Sequence, residues 1–385
     1  ANGHVTEPQP PARMNMGLNA NRTGARHPTM GKRRLTRRQA WRIEKIQQDR
    51  VARANRKADL AEQQIGAGAL GPEQKGLVIA HFGIQVEVEA VEGKLAGSVH
   101  RAHLRANLDP LVTGDLVAWR PATTHYDDGD QPLPASANTT GVVTARMTRA
   151  SQLCRPDQAG ALRPVAANID QIIITCAPEP RVFPGMLDRY LVAAEHQAIE
   201  PLILLNKTDL LDAGNHGDID PMLREFSDIG YQVLHSSASR DDGLSELQRI
   251  LRGKTSVFVG QSGVGKSSLI NALLPAEDIR VGELSASSGK GRHTTTTARL
   301  YHFPQGGNLI DSPGVRDFGL WHLDEAQIAR GFRDFAPFLG HCRFRNCRHR
   351  KEPGCALNAA LQEGAILPRR LNSYHHLVEA LQTSD

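Results

Sequence analysis

Between residues 165 and 320 the apolar positions follow two alternating patterns. Continuous apolar runs at 170–177 and 201–205 are bounded by polar residues, as expected for strands covered on both faces. The segments between and after them repeat apolar residues at helical spacing. In 186–197 the residues Leu187, Tyr190, Leu191 and Ala194 share one face, and 221–230 and 243–251 read the same way. Further short strands are expected at 231–235, 255–259 and 308–310, with a helix at 269–274. Strand and helix alternate, so the pattern predicts a doubly wound α/β domain with its ligand at the carboxyl ends of the strands.

The flanking regions are patterned differently. In 73–150, short strand-like runs at 77–80, 85–88, 116–119 and 141–144 are separated by turns at Gly83, Gly93, Gly97 and Gly114. That spacing predicts a five-stranded β-barrel of the OB type. Such barrels often bind oligonucleotides, but these residues fit a purely structural barrel nearly as well. In 321–385, helical segments at 324–335 and 357–381 enclose a polar, cysteine-rich stretch. Residues 1–72 carry no pattern able to form a core, and Met30 is a candidate initiation site. The expected fold class is multidomain, comprising the barrel, the α/β domain and a helical domain around a cysteine knuckle.

Composition narrows the partners. The 385 residues are long enough for substantial cores. No apolar run reaches membrane-spanning length and no secretory h-region is visible, so a cytoplasmic protein without a membrane partner is expected. Nothing in the sequence calls for oligomerisation, and a monomer is expected. The net charge is only +5, so its distribution matters more than its sum. From 32 to 57, Arg and Lys are opposed only by Glu44 and Asp49, and the apolar residues Trp41, Ile43, Ile46 and Val51 form no stripe. This basic arm suits a polyphosphate partner whose counterions it can release.

Residues Gly260, Gln261, Ser262, Gly263, Val264, Gly265, Lys266, Ser267 and Ser268 fit G-x4-G-K-S/T. The expected strand precedes them and the expected helix follows. The glycines let backbone N–H groups turn onto a phosphate at a helix N-terminus. Lys266 supplies charge to the β- and γ-phosphates, and the Ser267 hydroxyl can ligate Mg²⁺. Asn206, Lys207, Thr208 and Asp209 fit N-K-x-D after a buried strand. A carboxylate at Asp209 can accept from the ring N–H and exocyclic amine of guanine. Adenine offers neither donor on that edge, which can cost a polar site roughly 10⁴-fold in preference. Asn206 can bridge the loop to the base, and the Lys207 stem can cover its face. Ser236, Ser237 and Ala238 can present backbone N–H groups to the guanine oxygen. The expected ligand is therefore GTP, with GDP as its product.

The Ser-, Gly- and Thr-rich stretch 285–297 and the sequence Asp311-Ser312-Pro313-Gly314 have the character of γ-phosphate switches. Asp311 and a threonine, preferably Thr295, are expected on Mg²⁺, and the Gly314 N–H on the γ-phosphate. Val315 occupies the place where many GTPases carry a water-orienting glutamine. His293 is the local candidate to replace it, against its reading as an exposed loop histidine. Downstream, Cys342, Cys347, His349 and Cys355 make C-x4-C-x-H-x5-C, a closed Cys₃His set for one structural Zn²⁺. His341 is the competing histidine. Arg343, Arg345, Arg348, Arg350 and Lys351 surround the knuckle with positive charge suited to RNA.

The base-reading loops precede the phosphate loop, and the switches come last. This order resembles the circularly permuted GTPases. With the basic arm, barrel and zinc spacing added, the chain from about residue 32 to its end resembles the ribosome small-subunit-dependent GTPase A family. The resemblance implies a factor that binds the 30S subunit and its 16S rRNA, assists late 30S maturation, and hydrolyses GTP faster when bound there. It also implies that the histidine at position 293 is catalytic. The alternative is an RNA-binding or chaperone module that uses GTP only as a conformational switch.

Overall fold

The computed structural model describes residues 70–105, 108–122, 140–156, 161–211, 218–240, 242–275, 298–311 and 323–382. The chain divides into two compact units, Ala1–Val51 and Ala52–Asp385, and every described residue lies in the second. The basic arm 32–57 lies outside the described residues.

The first element group is a closed five-stranded barrel. Strands β1 (Gln74–His81), β2 (Gln85–Ala90), β3 (Val99–Leu104), β4 (Leu116–Arg120) and β5 (Thr140–Arg146) pair in the order β1-β2-β3-β5-β4, and β4 returns to β1. The β3–β5 pair is parallel and the others antiparallel. This is the expected OB-like barrel. Its core surrounds the fully buried Trp119. Gly76 and Gly141 make room for that indole, since a Cβ on either would lie within 2.8 Å of its ring. Strand β3 does not stand out in the sequence. His100 points inward, 6% exposed and 5.0 Å from the Trp119 ring, so a polar residue interrupts an inward row completed by Ala102 and Leu104.

A hairpin of β6 (Gln152–Pro156) and β7 (Leu162–Ala167) leads to the α/β sheet. There, β8 (Gln171–Cys176), β9 (Glu200–Leu205), β10 (Gln232–His235), β11 (Thr255–Val259), β12 (Arg299–His302) and β13 (Asn308–Asp311) are arranged β10-β9-β8-β11-β13-β12. All neighbours are parallel except β12 against β13. All six residues of β8 are buried, polar Gln171 and Thr175 included, which explains its largely apolar run. Helices α1 (Pro184–His196), α2 (Ile219–Asp228), α3 (Ser245–Leu251) and α4 (Lys266–Leu273) flank the sheet, each within a few residues of its expected position.

The two sheets are joined. Strand β12 pairs antiparallel with β1 through Ala80 and Arg299. Arg299 Nη1 meets Glu87 Oε2 at 2.9 Å, and His302 Nε2 meets Glu89 Oε2 at 2.6 Å. The Thr113 hydroxyl donates to the Ala298 carbonyl at 2.8 Å.

The C-terminal helices correct the sequence reading. The single helices expected at 324–335 and 357–381 are each broken. The first is α5 (Glu325–Arg330) followed by a 3₁₀ turn at Arg333–Phe335. The break falls at Gly331, where a Cβ would lie 2.7 Å from Val192 Cγ1. The second divides into α6 (Ala356–Gln362) and α7 (Pro368–Gln382). Gly364 has φ 75° between them, and Pro368 opens α7. These helices share one core with α1, where Leu357, Leu371 and Tyr374 join Leu187 and Leu191.

Candidate functional site

Strand β11 delivers the phosphate loop and α4 begins at Lys266. Gly260, Gly263 and Gly265 have φ of 139°, 85° and 92°, backbone that side chains with a Cβ rarely adopt. Space is also closed at two of them. A Cβ on Gly260 would lie 2.1 Å from the Thr175 carbonyl oxygen, and one on Gly265 would lie 2.5 Å from Asn206 Nδ2. Gln261, Ser262, Ser267 and Ser268 are at least partly exposed along the loop, while Val264 is buried beneath it. The Lys266 ammonium donates to the carbonyls of Gly260 at 2.8 Å and Gln261 at 2.5 Å. It therefore lies along the loop.

The base-reading motif is fastened to this loop. Asn206, 2% exposed, donates from Nδ2 to the Val264 carbonyl at 2.9 Å and accepts from Ser236 Oγ at 3.3 Å. Lys207, with φ 58°, donates from Nζ to the carbonyls of Gly263 at 2.7 Å and Glu179 at 3.0 Å. The Thr208 hydroxyl and N–H both donate to the Ser236 carbonyl. Asp209 Oδ1 accepts from Ser237 Oγ at 2.5 Å, and Ser237 Oγ is 2.8 Å from Ser239 Oγ. The Ser237 hydroxyl, before other contacts, holds the Asp209 carboxyl below its ordinary pKa. Ala238 is exposed at the turn.

Sequence reading missed this use of the Ser237 hydroxyl, because it pairs two loops 28 residues apart. It also missed the Glu179 carbonyl. Asp311 ends β13, which runs parallel to β11, so it emerges at the same carboxyl end of the sheet as the phosphate loop. His293, Thr295, Gly314 and Val315 lie outside the described residues.

The knuckle gathers four ligand atoms. Those of Cys342, Cys347, His349 and Cys355 all lie within 4.8 Å of one another. His349 Nδ1 is 3.5 Å from both Cys342 Sγ and Cys355 Sγ. A tetrahedral zinc with sulfur at ~2.3 Å spaces its ligands by ~3.5–3.8 Å, so the donor set and these two separations fit that ion. Burial lowers the pKa of His349, favouring the neutral imidazole that a metal needs. His341 is exposed and stands outside the cluster. All five cysteines are free thiols. Cys176 is a core residue, its thiol pushed up to about 12 by burial.

A buried ion-pair network holds α7 to the α/β layer. Asp188 on α1 accepts from both Arg369 and Arg370. Arg370 Nη2 also meets Asp334 Oδ1 at 2.6 Å, and Arg369 Nε meets Glu225 Oε2 at 2.6 Å. Asp188 is 0% and Arg370 1% exposed.

Sheet order and loop placement define a circularly permuted phosphate-loop GTPase carrying an OB-like barrel and a Cys₃His knuckle. The comparisons agree. The profile of the RsgA GTPase family matches residues 146–321. The small ribosomal subunit biogenesis GTPase RsgA of Azotobacter vinelandii is 56% identical over 352 residues, covering 91% of this chain and 98% of that protein. The protein of that name from Ectopseudomonas mendocina is 54% identical over 356 residues, covering 92% of this chain and 100% of its own. Among solved structures, YloQ, a circularly permuted GTPase, is 27% identical with a TM-score of 0.61, covering 82% of this chain and 96% of its own. YjeQ from Thermotoga maritima is also 27% identical at TM-score 0.61, covering 81% and 99%. This chain belongs to the RsgA GTPase family and is a GTP hydrolase.

Proposed function

We propose that this GTPase serves assembly of the small ribosomal subunit. It binds the 30S particle and its 16S rRNA during late maturation, and hydrolyses GTP to GDP and phosphate faster when bound there. The names of its relatives support the subunit, and the basic arm and knuckle support the RNA. In this reading the protein works in the cytoplasm, as a monomer. The observation that carries the nucleotide reading is the pair of bonds from Lys207 to Gly263 and Asn206 to Val264. They hold the guanine-reading loop and the phosphate loop in one register.

In this reading Asp209 accepts from guanine while Ser236, Ser237 and Ala238 border its oxygen, and Asn206, Lys207 and Thr208 hold the loop. Residues 260–268 and the Gly314 N–H cradle the phosphates, and Lys266 swings from its loop carbonyls onto the β- and γ-oxygens. Ser267, Thr295 and Asp311 hold magnesium, which when bound neutralises charge across those phosphates. His293 positions the attacking water, a role supported by family resemblance and by Val315 in the place of a glutamine. Cys342, Cys347, His349 and Cys355 hold one zinc, which fixes the knuckle.

GTP turnover with and without purified 30S subunits tests the proposal. Completion of a GTPase site by a partner is worth roughly 10³–10⁵ in rate, and absence of stimulation rejects it. Single-turnover hydrolysis by His293→Ala with subunits present tests the water-positioning role, which near-normal rates would exclude. Val315 also motivates a second reading, in which GTP serves only as a conformational ligand. Then a non-hydrolysable GTP analogue would support full RNA activity, whereas RNA activity that requires turnover rejects that reading.

A further inference from the structure

The loop between Cys342 and Cys355 carries a feature that nucleotide chemistry does not use. Phe344 is 43% exposed, and its neighbours Arg343, Arg345 and Asn346 are exposed beside it. A ring so open to water adds little to a core. The Arg343 guanidinium carbon lies 5.5 Å from the ring centroid, so a cation already borders it. Arg343, Arg345 and Arg348 make no ion pair among the described residues. The nearby acid is engaged by the loop backbone. Glu352 accepts backbone N–H groups from Arg348 at 3.0 Å and Arg350 at 2.8 Å, which hold its carboxyl below the usual range.

The loop is also pre-set. Cys342 and Cys347 bracket Phe344 within the metal cluster, and the Arg343 N–H donates to the Gly354 carbonyl at 3.0 Å. A held aromatic face beside unpaired cations matches a single strand, whose free bases have π-faces and whose phosphates carry charge. A duplex keeps its bases stacked on one another and offers this ring nothing.

We propose that the knuckle tip binds single-stranded RNA, stacking one unpaired base on Phe344 while Arg343, Arg345 and Arg348 take flanking phosphates. This rests on the reading that small-subunit RNA is the partner, and specifies an unpaired nucleotide within it.

The test uses the full zinc-loaded chain with a short single-stranded RNA containing 4-thiouridine and a blunt duplex RNA of equal length. Phe344→Ala should weaken single-strand binding about 5- to 100-fold, the range expected for one base–aromatic stack. Duplex binding and the salt dependence should not change, and Phe344→Trp should restore affinity. Arg345→Ala should weaken binding to both RNAs and reduce the salt slope by roughly 0.7–0.9. Photo-crosslinking should place the thiouridine on Phe344. Zinc content and thermal melting check that each variant is folded. Unchanged binding by Phe344→Ala, equal losses on strand and duplex, or crosslinks only elsewhere would overturn the proposal. If wild-type protein binds 30S subunits but Phe344→Ala behaves like it, only the stacking contact falls. If wild type binds neither RNA nor subunits, the partner reading falls with it.

Discussion

Gly265 has two separate reasons to lack a side chain. Its φ is 92°, and Asn206 Nδ2 would lie 2.5 Å from any Cβ. Gly265→Ala should therefore push the guanine-reading loop away from the phosphate loop. The expected outcome is at least a tenfold loss of GDP affinity, measured with a fluorescent nucleotide. Asp209 makes a prediction about pH. Its carboxyl is depressed by the Ser237 hydroxyl, so the ionised form that guanine requires persists as pH falls toward the depressed value. Ser237→Ala removes that support and raises the pKa toward the ordinary carboxylate value. Guanine affinity should then begin to fail at a higher pH than in wild type, in a titration from pH 7 downward. Asp209 itself is legible in the sequence because the chemistry of guanine demands a carboxylate at fixed spacing. Ser237 as its partner is not, because hydrogen bonds across a fold leave no trace in local spacing.

Among the elements, strands covered on both faces and the regularly alternating β2 announce themselves, whereas short strands of mixed composition do not. β8 and β9 are covered on both faces and read as apolar runs. β12, with the sequence Arg-Leu-Tyr-His, buries only Leu300 and draws its stability from neighbours on both sides. The β6–β7 hairpin is similarly mixed, burying Leu153, Ala166 and Ala167 beside Arg155, Arg163 and two prolines. Helix α7 is anchored by charge as well as apolar packing. Arg370→Ala should leave Asp188 buried without its main partner, and Arg370→Met should partly recover the packing. Breaking such a pair costs about 3–5 kcal/mol, to be read from urea unfolding. Removing the metal acts on the same region. Chelation should loosen α6, since the Ala356 N–H points at Cys342 Sγ at 3.3 Å and Cys355 precedes the helix. Increased amide exchange across 342–362, with exchange in the barrel unchanged, would confirm it.

At the scale of the whole molecule, one sheet runs from β10 through β12 into the barrel. The charges along this seam are partly open to water, with 43% exposure for Arg299 and 14% for Glu87. Each is worth only about 0.2–1 kcal/mol. Arg299→Glu should destabilise by about that amount, and adding Glu87→Arg should recover it in a double-mutant cycle. Motif order makes the permuted GTPase legible from the sequence. The seam is not, because it joins strands over 200 residues apart through a single backbone register and a few polar contacts.

The seam has a further consequence for solubility. Strand β12 would be the outer strand of the α/β sheet if β1 did not lie against it. An open outer strand offers unpaired N–H and C=O groups to any passing chain, and natural proteins shield such edges. Here the shield is the barrel. A fragment that starts after the barrel would retain the nucleotide loops but leave β12 bare. It should form strand-to-strand aggregates at concentrations where the intact chain stays dispersed, as light scattering would show.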